Sequence, residues 1–264
     1  MIAINDVLYE PAYFPDGTLR LRCEVTEKIV DLQWKWENNE EVLIVYFLTH
    51  HLRNVCKVKT INLIMPYIPN ARMDRVKDED EVFTLKYFAE LMNSLHFDSV
   101  HVLDAHSSVS LALLNQVVSD DFFPMIERLA NQLLVKEEDI VFFPDEGACK
   151  RYSESIQKES AFGIKKRDWR TGEIKGLDIV GGTLKKGFNV LIIDDICSYG
   201  GTFYHSAKKL KELGADKIWL YVTHCENSVL EGDLIHSGLI EKIYTTDSIF
   251  TKISPHIQII ERRS

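Results

Sequence analysis

Residues 190–202 read Val-Leu-Ile-Ile-Asp-Asp-Ile-Cys-Ser-Tyr-Gly-Gly-Thr. The unbroken apolar run from Val190 to Ile193 has the composition of a strand buried on both faces of a parallel sheet. Beyond it, Phe203, Ala207, Leu210 and Leu213 recur at helical spacing, and Gly214 reads as a helix stop. The loop between them therefore sits at a strand's carboxyl end, where open α/β sheets bind ligands. It also adjoins the free N–H groups of a helix start, which suit phosphate. Asp194 and Asp195 cannot receive phosphate themselves; they suit ribose hydroxyls or a divalent cation. Gly200 and Gly201 let the backbone approach an anion closely. The expected guest is a sugar phosphate accompanied by metal.

The same alternation extends outward. Apolar, β-branched runs at Leu43–Phe47, Ile61–Met65, Val100–Leu103, Ile140–Phe143, Ile218–Val222 and Lys242–Thr245 read as strands. Between several of them lie helical patterns. Phe83, Tyr87, Phe88, Leu91, Met92 and Leu95 share one face, as do Phe122, Met125, Ile126, Leu129 and Leu133. Strands alternating with helices predict an α/β fold with parallel sheets. Two halves echo each other, with apolar strands running into acidic loops at Leu103-Asp104 and Ile193-Asp194. The boundary is placed near residue 118, giving domains 1–118 and 119–264. Asp74–Glu81 is charged almost throughout, and Lys165–Gly187, rich in lysine and glycine, reads as a long irregular loop of the kind that closes over sites.

The 264 residues include 45% hydrophobic and 27% charged side chains, enough for a sizeable core. A net charge of −9 argues against a nucleic-acid surface, so a negative substrate would need a local basic patch or a metal. The five cysteines are scattered without a C-x-x-C pair, which fits reduced thiols and a cytoplasmic location. The start of the chain lacks the basic and apolar regions of a signal peptide. The longest apolar run, Val42–Leu48, is far shorter than the roughly 20 residues of a membrane helix, so no membrane partner is expected.

Four further constellations follow strands or open loops. Pro66–Arg75 is fixed by two prolines and carries Arg72 and Arg75, whose guanidinium forks suit polyphosphate; a basic turn pairing with Asp74 is the alternative. Asp104-Ala105-His106 sets a carboxylate and an imidazole at a strand end, for metal, nucleotide or a polar turn. Asp145, after Ile140–Phe143, reads both as a ligand to the crevice and as a helix N-cap. Lys165-Lys166-Arg167 would neutralise a transferring phosphoryl group, or be a solvated charge run.

Taken in order, these motifs resemble the ribose-phosphate pyrophosphokinases, also called phosphoribosyl pyrophosphate synthetases. Phe14-Pro15-Asp16-Gly17 is similar to the family's Phe-Ser-Asp-Gly-Glu segment, and Pro66–Arg75 to its Pro-Tyr-x-x-Tyr-Ala-Arg-Gln-Asp-Arg nucleotide loop. Thr84-Leu85-Lys86 resembles Thr-Ala-Lys, and Leu103-Asp104-Ala105-His106 resembles Leu-Asp-Leu-His. Pro144-Asp145 with Lys150-Arg151 is similar to Pro-Asp-x-Gly-x-x-x-Arg, and Ile164–Arg167 to Ile-Asp-Lys-Arg-Arg. Residues 194–202 resemble Asp-Asp-x-x-Asp-Thr-x-Gly-Thr, the ribose-phosphate loop.

The resemblance implies two tandem phosphoribosyltransferase-like domains and transfer of the diphosphoryl group of Mg-ATP to a ribose 1-hydroxyl, releasing AMP. It implies ATP binding by Phe14, Asp16, Arg72, Asp74, Arg75 and His106, and Mg²⁺ at His106 and Asp145. Lys166, Arg167 and His106 would be catalytic. Asp145, Asp194, Asp195, Ser198, Tyr199, Gly200, Gly201 and Thr202 would hold the ribose substrate. A homo-oligomer with the adenine site near a subunit contact is also implied.

Departures are concentrated. Met73 replaces the family's Gln, Asp168 its last Arg, Ser198 its third loop acid, and Tyr199 the Thr of the 5′-phosphate cradle. A tyrosine there fills the cradle or underlies a larger 5′-substituent. The expected substrate is accordingly a 5′-extended ribose such as ADP-ribose, giving ADP-ribose 1-pyrophosphate for NAD synthesis, or ribose 5-phosphate itself. A nucleobase or nicotinamide phosphoribosyltransferase and a non-catalytic regulatory homologue are the alternatives.

Overall fold

A computed structural model describes residues 1–167, 174–182 and 184–260. The chain divides into two compact units, Met1–Asp120 and Asp121–Ser264.

In the first unit, strands β1 (Ile2–Ile4) and β2 (Val7–Tyr9) precede a small hairpin, β3 (Ala12–Tyr13) with β4 (Leu19–Arg20). Then come β5 (Ile29–Trp34), α1 (Glu40–Asn54), β6 (Thr60–Ile64), α2 (Thr84–Asn93), β7 (Ser99–Leu103), α3 (Ser108–Leu113) and β8 (Val117–Asp120). The sheet order is β2-β1-β5-β6-β7-β8. Strands β5 to β8 are parallel, and β1 pairs antiparallel with β2 and β5. Leu32, Trp34, Leu48, Leu52, Ile61, Leu63 and Met65 are fully buried between the sheet and its helices.

The second unit carries α4 (Phe123–Leu133), β9 (Ile140–Phe143), α5 (Glu146–Tyr152), β10 (Ser160–Arg167), β11 (Ile174–Gly181), β12 (Val190–Cys197) and α6 (Gly201–Glu212). It ends with β13 (Ile218–Cys225), α7 (Asp233–His236), β14 (Lys242–Thr245) and β15 (Ile257–Ile259). The order is β11-β10-β9-β12-β13-β14-β15, parallel throughout except for the β10–β11 pair. All of Ile140–Phe143 and Val190–Ile193 are buried, as expected of central strands covered on both faces. The two units bear out the expected α/β architecture, with mixed and mostly parallel sheets.

Two elements differ from the sequence reading. Leu43–Phe47, expected as a strand, lies inside α1. Ile44, Val45, Leu48, Thr49 and Leu52 form its buried face at helical spacing. Leu43 and Phe47 on the outer face, 51% and 46% exposed, fill the gaps in that pattern and make it read as a continuous apolar run. The stretch Lys165–Gly187, expected as an irregular loop, contributes instead to an antiparallel pair, β10 with β11, whose register shifts between Lys166 and Arg167.

Candidate functional site

In the second unit the chain leaves β9 toward β10 on one side and returns to β12 on the other, from which β13, β14 and β15 continue outward. The strand order reverses between β9 and β12, the place where a doubly wound sheet opens a crevice beyond its carboxyl ends. Asp145 follows β9, and Asp194 and Asp195 lie near the end of β12, so the topology brings the three carboxylates to this crevice.

Asp145 is the N-cap of α5, and its Oδ1 accepts from the Ala148 N–H at 3.1 Å. A Cβ on Gly147 would stand 3.3 Å from that oxygen, so the glycine lets the carboxylate fold back onto the helix start. Strand β12 runs three residues past the expected loop start at Asp194, to Cys197. Within it, Asp194 Oδ1 accepts from the Asp195 N–H at 3.0 Å, and Asp195 Oδ1 accepts from the Ile196 N–H at 2.9 Å. Each carboxylate thus takes the next backbone N–H.

Their environments then diverge. Asp195 is 5% exposed, and its Oδ2 lies 2.9 Å from Arg151 Nη1 at the far end of α5. Asp194 has its carboxyl pushed well above the usual aspartate range, first by burial and then by the Asp195 charge, with Asp145 adding to it. The hydrogen bond from the Asp195 N–H opposes this only in part. The protein therefore disfavours the charged form of Asp194, and a hydroxyl donor or a cation beside it would favour that form again.

The loop beyond β12 is short. Gly200 has φ +82°, a left-handed conformation that a glycine takes without strain, and it caps α6, whose Tyr204 N–H donates to the Gly200 carbonyl at 2.9 Å. Gly201 and Thr202 form the helix's first turn, where N–H groups have no intrahelical acceptor. Gly201 is exposed, and a Cβ there would touch no protein atom within 4 Å. Ser198 is half-buried; the Tyr199 side chain is 58% exposed and does not pack into the core. Cys197 is buried, and its thiol is pushed well above the ordinary range, first by a hydrogen bond with Cys225 and then by desolvation. That environment disfavours the thiolate, the form that acts as a nucleophile.

In the first unit, the segments after the adjacent parallel strands β6 and β7 emerge at the carboxyl end of the sheet. Their bases are tied by hydrogen bonds from the Met65 N–H to the His101 carbonyl and from the Leu103 N–H to the Pro66 carbonyl, both 2.9 Å. This brings the Pro66–Arg75 segment and His106 to the same end of the sheet. Asp104 is buried with φ +41°, turning the chain sharply so that half-buried His106 lies just beyond it. Arg72 is exposed; Arg75 Nε lies 3.6 Å from Asp74 Oδ1, with the arginine largely in solvent. The acidic stretch has a local function: Glu81 Oε2 accepts from the Lys77 N–H at 2.7 Å, and such backbone bonds hold its carboxyl below the ordinary range.

Phe14 and Asp16 sit in the β3–β4 hairpin, apart from the loops after β6 and β7 in sequence. Asp16 Oδ1 closes the turn by accepting from the Thr18 N–H at 3.0 Å and the Thr18 hydroxyl at 2.7 Å, which lowers its pKa. Phe14 is 48% exposed, with the Arg20 guanidinium 5.6 Å from its ring centre. Lys166 and Arg167 have their backbone in β10, at the register shift; their side chains, and Asp168 altogether, lie outside the described residues. Among the described residues no group of three or more His, Cys, Asp or Glu forms a ready-made metal cage. Two supports of the loop were missed from sequence, Gly232 and Leu234, because both touch it from more than 30 positions away.

No family-level sequence profile matches the chain. It is 29% identical to the ribose-phosphate pyrophosphokinase of Pyrococcus abyssi, over 95% of this chain and 87% of that protein. It is 28% identical to that of Thermoplasma volcanium, over 97% and 91%. Its fold matches a phosphoribosylpyrophosphate synthetase from Mycobacterium smegmatis with a TM-score of 0.79, at 19% identity, over 97% of this chain and 87% of that one. Along nearly its whole length this chain is similar in sequence to ribose-phosphate pyrophosphokinases and shares the fold of a phosphoribosylpyrophosphate synthetase.

Proposed function

We propose that this protein is a pyrophosphokinase that moves the diphosphoryl group of Mg-ATP onto the 1-hydroxyl of a 5-phosphorylated ribose and releases AMP. The observation that carries this reading is the undercompensated Asp194 at the sheet's switch point, next to the glycine-opened start of α6. Together they offer a carboxylate acceptor for ribose hydroxyls and N–H donors for a phosphate. The likeness over most of the chain to ribose-phosphate pyrophosphokinases supports the same chemistry.

In this reading Asp194 and Asp195 accept from the ribose hydroxyls, and Arg151 pairs with Asp195. Gly200, Gly201 and Thr202 donate to the 5′-phosphate, with Ser198 and Tyr199 beside it. Arg72, Asp74, Arg75 and His106 hold ATP with Phe14 and Asp16. Lys166 and Arg167 meet the transferred group; the register shift beside them is a feature over-represented next to active sites. The substrate hydroxyl is the nucleophile, so the protein supplies position and charge rather than a covalent intermediate. His106 is assigned to the Mg²⁺ carried by ATP, and Asp145 to a Mg²⁺ beside the ribose. Mg²⁺ binds through one or two carboxylates plus substrate phosphates rather than in a full protein cage, which fits the neighbouring carboxylates Asp145, Asp194 and Asp195 in the second unit. Its chemistry here is neutralisation of phosphate charge.

The exposed Tyr199 favours a substrate extended beyond the 5′-phosphate, with ADP-ribose as the leading case and ribose 5-phosphate as the second. A ring standing in solvent at the cradle's lip can stack beneath an added group. The test incubates the protein with Mg-ATP and each sugar, resolving AMP and product by chromatography and phosphorus NMR. Faster turnover of ADP-ribose is expected; equal or faster turnover of ribose 5-phosphate rejects the extended substrate. No AMP with any ribose substrate leaves the regulatory homologue as the reading.

A further inference from the structure

Gly232 has φ −86° and ψ 157°, ordinary extended backbone that any residue adopts, so conformation does not call for a glycine there. Space does. A Cβ at 232 would overlap the carbonyl oxygen of Tyr199 and stand 2.8 Å from its carbonyl carbon and 3.1 Å from its Cα. All three are backbone atoms, and no rotamer change can move them aside. The opposite contact is also tight. A Cβ at Gly200 would lie 2.7 Å from Leu234 Cδ2 and 2.9 Å from Leu234 Cβ, and Leu234 is only 1% exposed. The loop is thus seated on the Gly232–Leu234 segment through two bare backbone positions. One further backbone tie, the Glu226 N–H to the Cys197 carbonyl at 2.8 Å, anchors its root to the end of β13.

Resting on the pyrophosphokinase reading, we propose that Gly232 is a positioning residue for sugar-phosphate binding. By admitting the Tyr199 carbonyl, it fixes how the N–H groups of Gly200, Gly201 and Thr202 are aimed. It also holds the Tyr199 side chain at the lip of the cradle. The segment 232–234 is the floor of the 5′-phosphate site, and selectivity for the 5′-substituent depends on it as well as on Tyr199.

The test uses the full chain. In Gly232→Ala the KM for the ribose substrate that the wild type turns over rises about tenfold, as a loop displaced by about 1 Å requires, while the KM for ATP stays within about twofold. Leu234→Ala removes the support under Gly200 without adding a clash and raises the same KM. In ¹H–¹⁵N spectra without substrate, the Gly200 and Gly201 amide resonances move in Gly232→Ala. Unmoved resonances in a folded Gly232→Ala, or a KM for ATP rising as much as that for ribose, overturn the proposal. If Gly232→Ala does not fold, Leu234→Ala decides: unchanged ribose KM and unchanged glycine amides reject the floor. If the wild type releases no AMP, the pyrophosphokinase reading fails, and the resonance comparison still decides what Gly232 does.

Discussion

Asp194 and Asp195 are chemically identical neighbours with opposite fates, because one meets Arg151 and the other meets carboxylates. Burial and like charge raise the Asp194 pKa, so the folded state holds a proton that the unfolded chain releases. The sign follows: stability from this group is full below the unfolded aspartate pKa and is lost as pH rises toward the raised folded value. Asp194→Asn is therefore expected to stabilise the ligand-free protein at pH 7 by about 1 kcal/mol, roughly 2–4 °C in Tm, while abolishing turnover. The gain shrinks as pH falls through the ordinary aspartate range. Melting curves from pH 4 to 8 check this; a Tm lowered at pH 7 refutes it. The adjacency of the two acids was legible in the sequence. Their division of labour was not, because Arg151 is more than 40 positions away and reaches Asp195 only through the packing of α5 against β12.

At the scale of elements, the strands around the crevice were readable because burial on both faces leaves an unbroken apolar run, as in Ile140–Phe143 and Val190–Ile193. Helix α1 was not, because apolar residues on its outer face masked the helical period. The β10–β11 pair was misread as an irregular loop because its arms are rich in lysine and glycine, residues depleted in strands. That pair carries the cationic stretch, and Lys165→Ala and Lys166→Ala are expected to separate its roles. Lys166→Ala should lower kcat by about 10²-fold or more, as removing a donor to developing phosphoryl charge does, with a smaller loss in Lys165→Ala. Single-turnover AMP release measures both; the reverse order moves the assignment to Lys165.

For the whole molecule, two units each bring their own core and their own set of loops at strand ends. With a net charge of −9, polyanionic substrates must be met by local cations rather than by the overall field. The first unit also leaves Val7, Leu8, Tyr13 and Phe14 exposed, from 48% to 71%, on the edge strand β2 and the β3–β4 hairpin. The resemblance implies a homo-oligomer with the adenine site near a subunit contact, and Phe14 is the residue on which that contact is tested. Phe14→Glu is expected to lower the mass measured by light scattering and raise the KM for ATP; unchanged mass at micromolar concentration rejects that contact.

The sequence by itself determined the alternation of strands and helices, the acidic end of β12 and the glycines that open α6. All are local signals, written in residues a few positions apart, where side-chain period and backbone freedom act directly. Only the tertiary structure decided which carboxylate is compensated and what lies under the loop. Arg151 against Asp195, and Gly232 against the Tyr199 carbonyl, are meetings of distant segments, set by the order of strands in the sheet and the packing of helices on it.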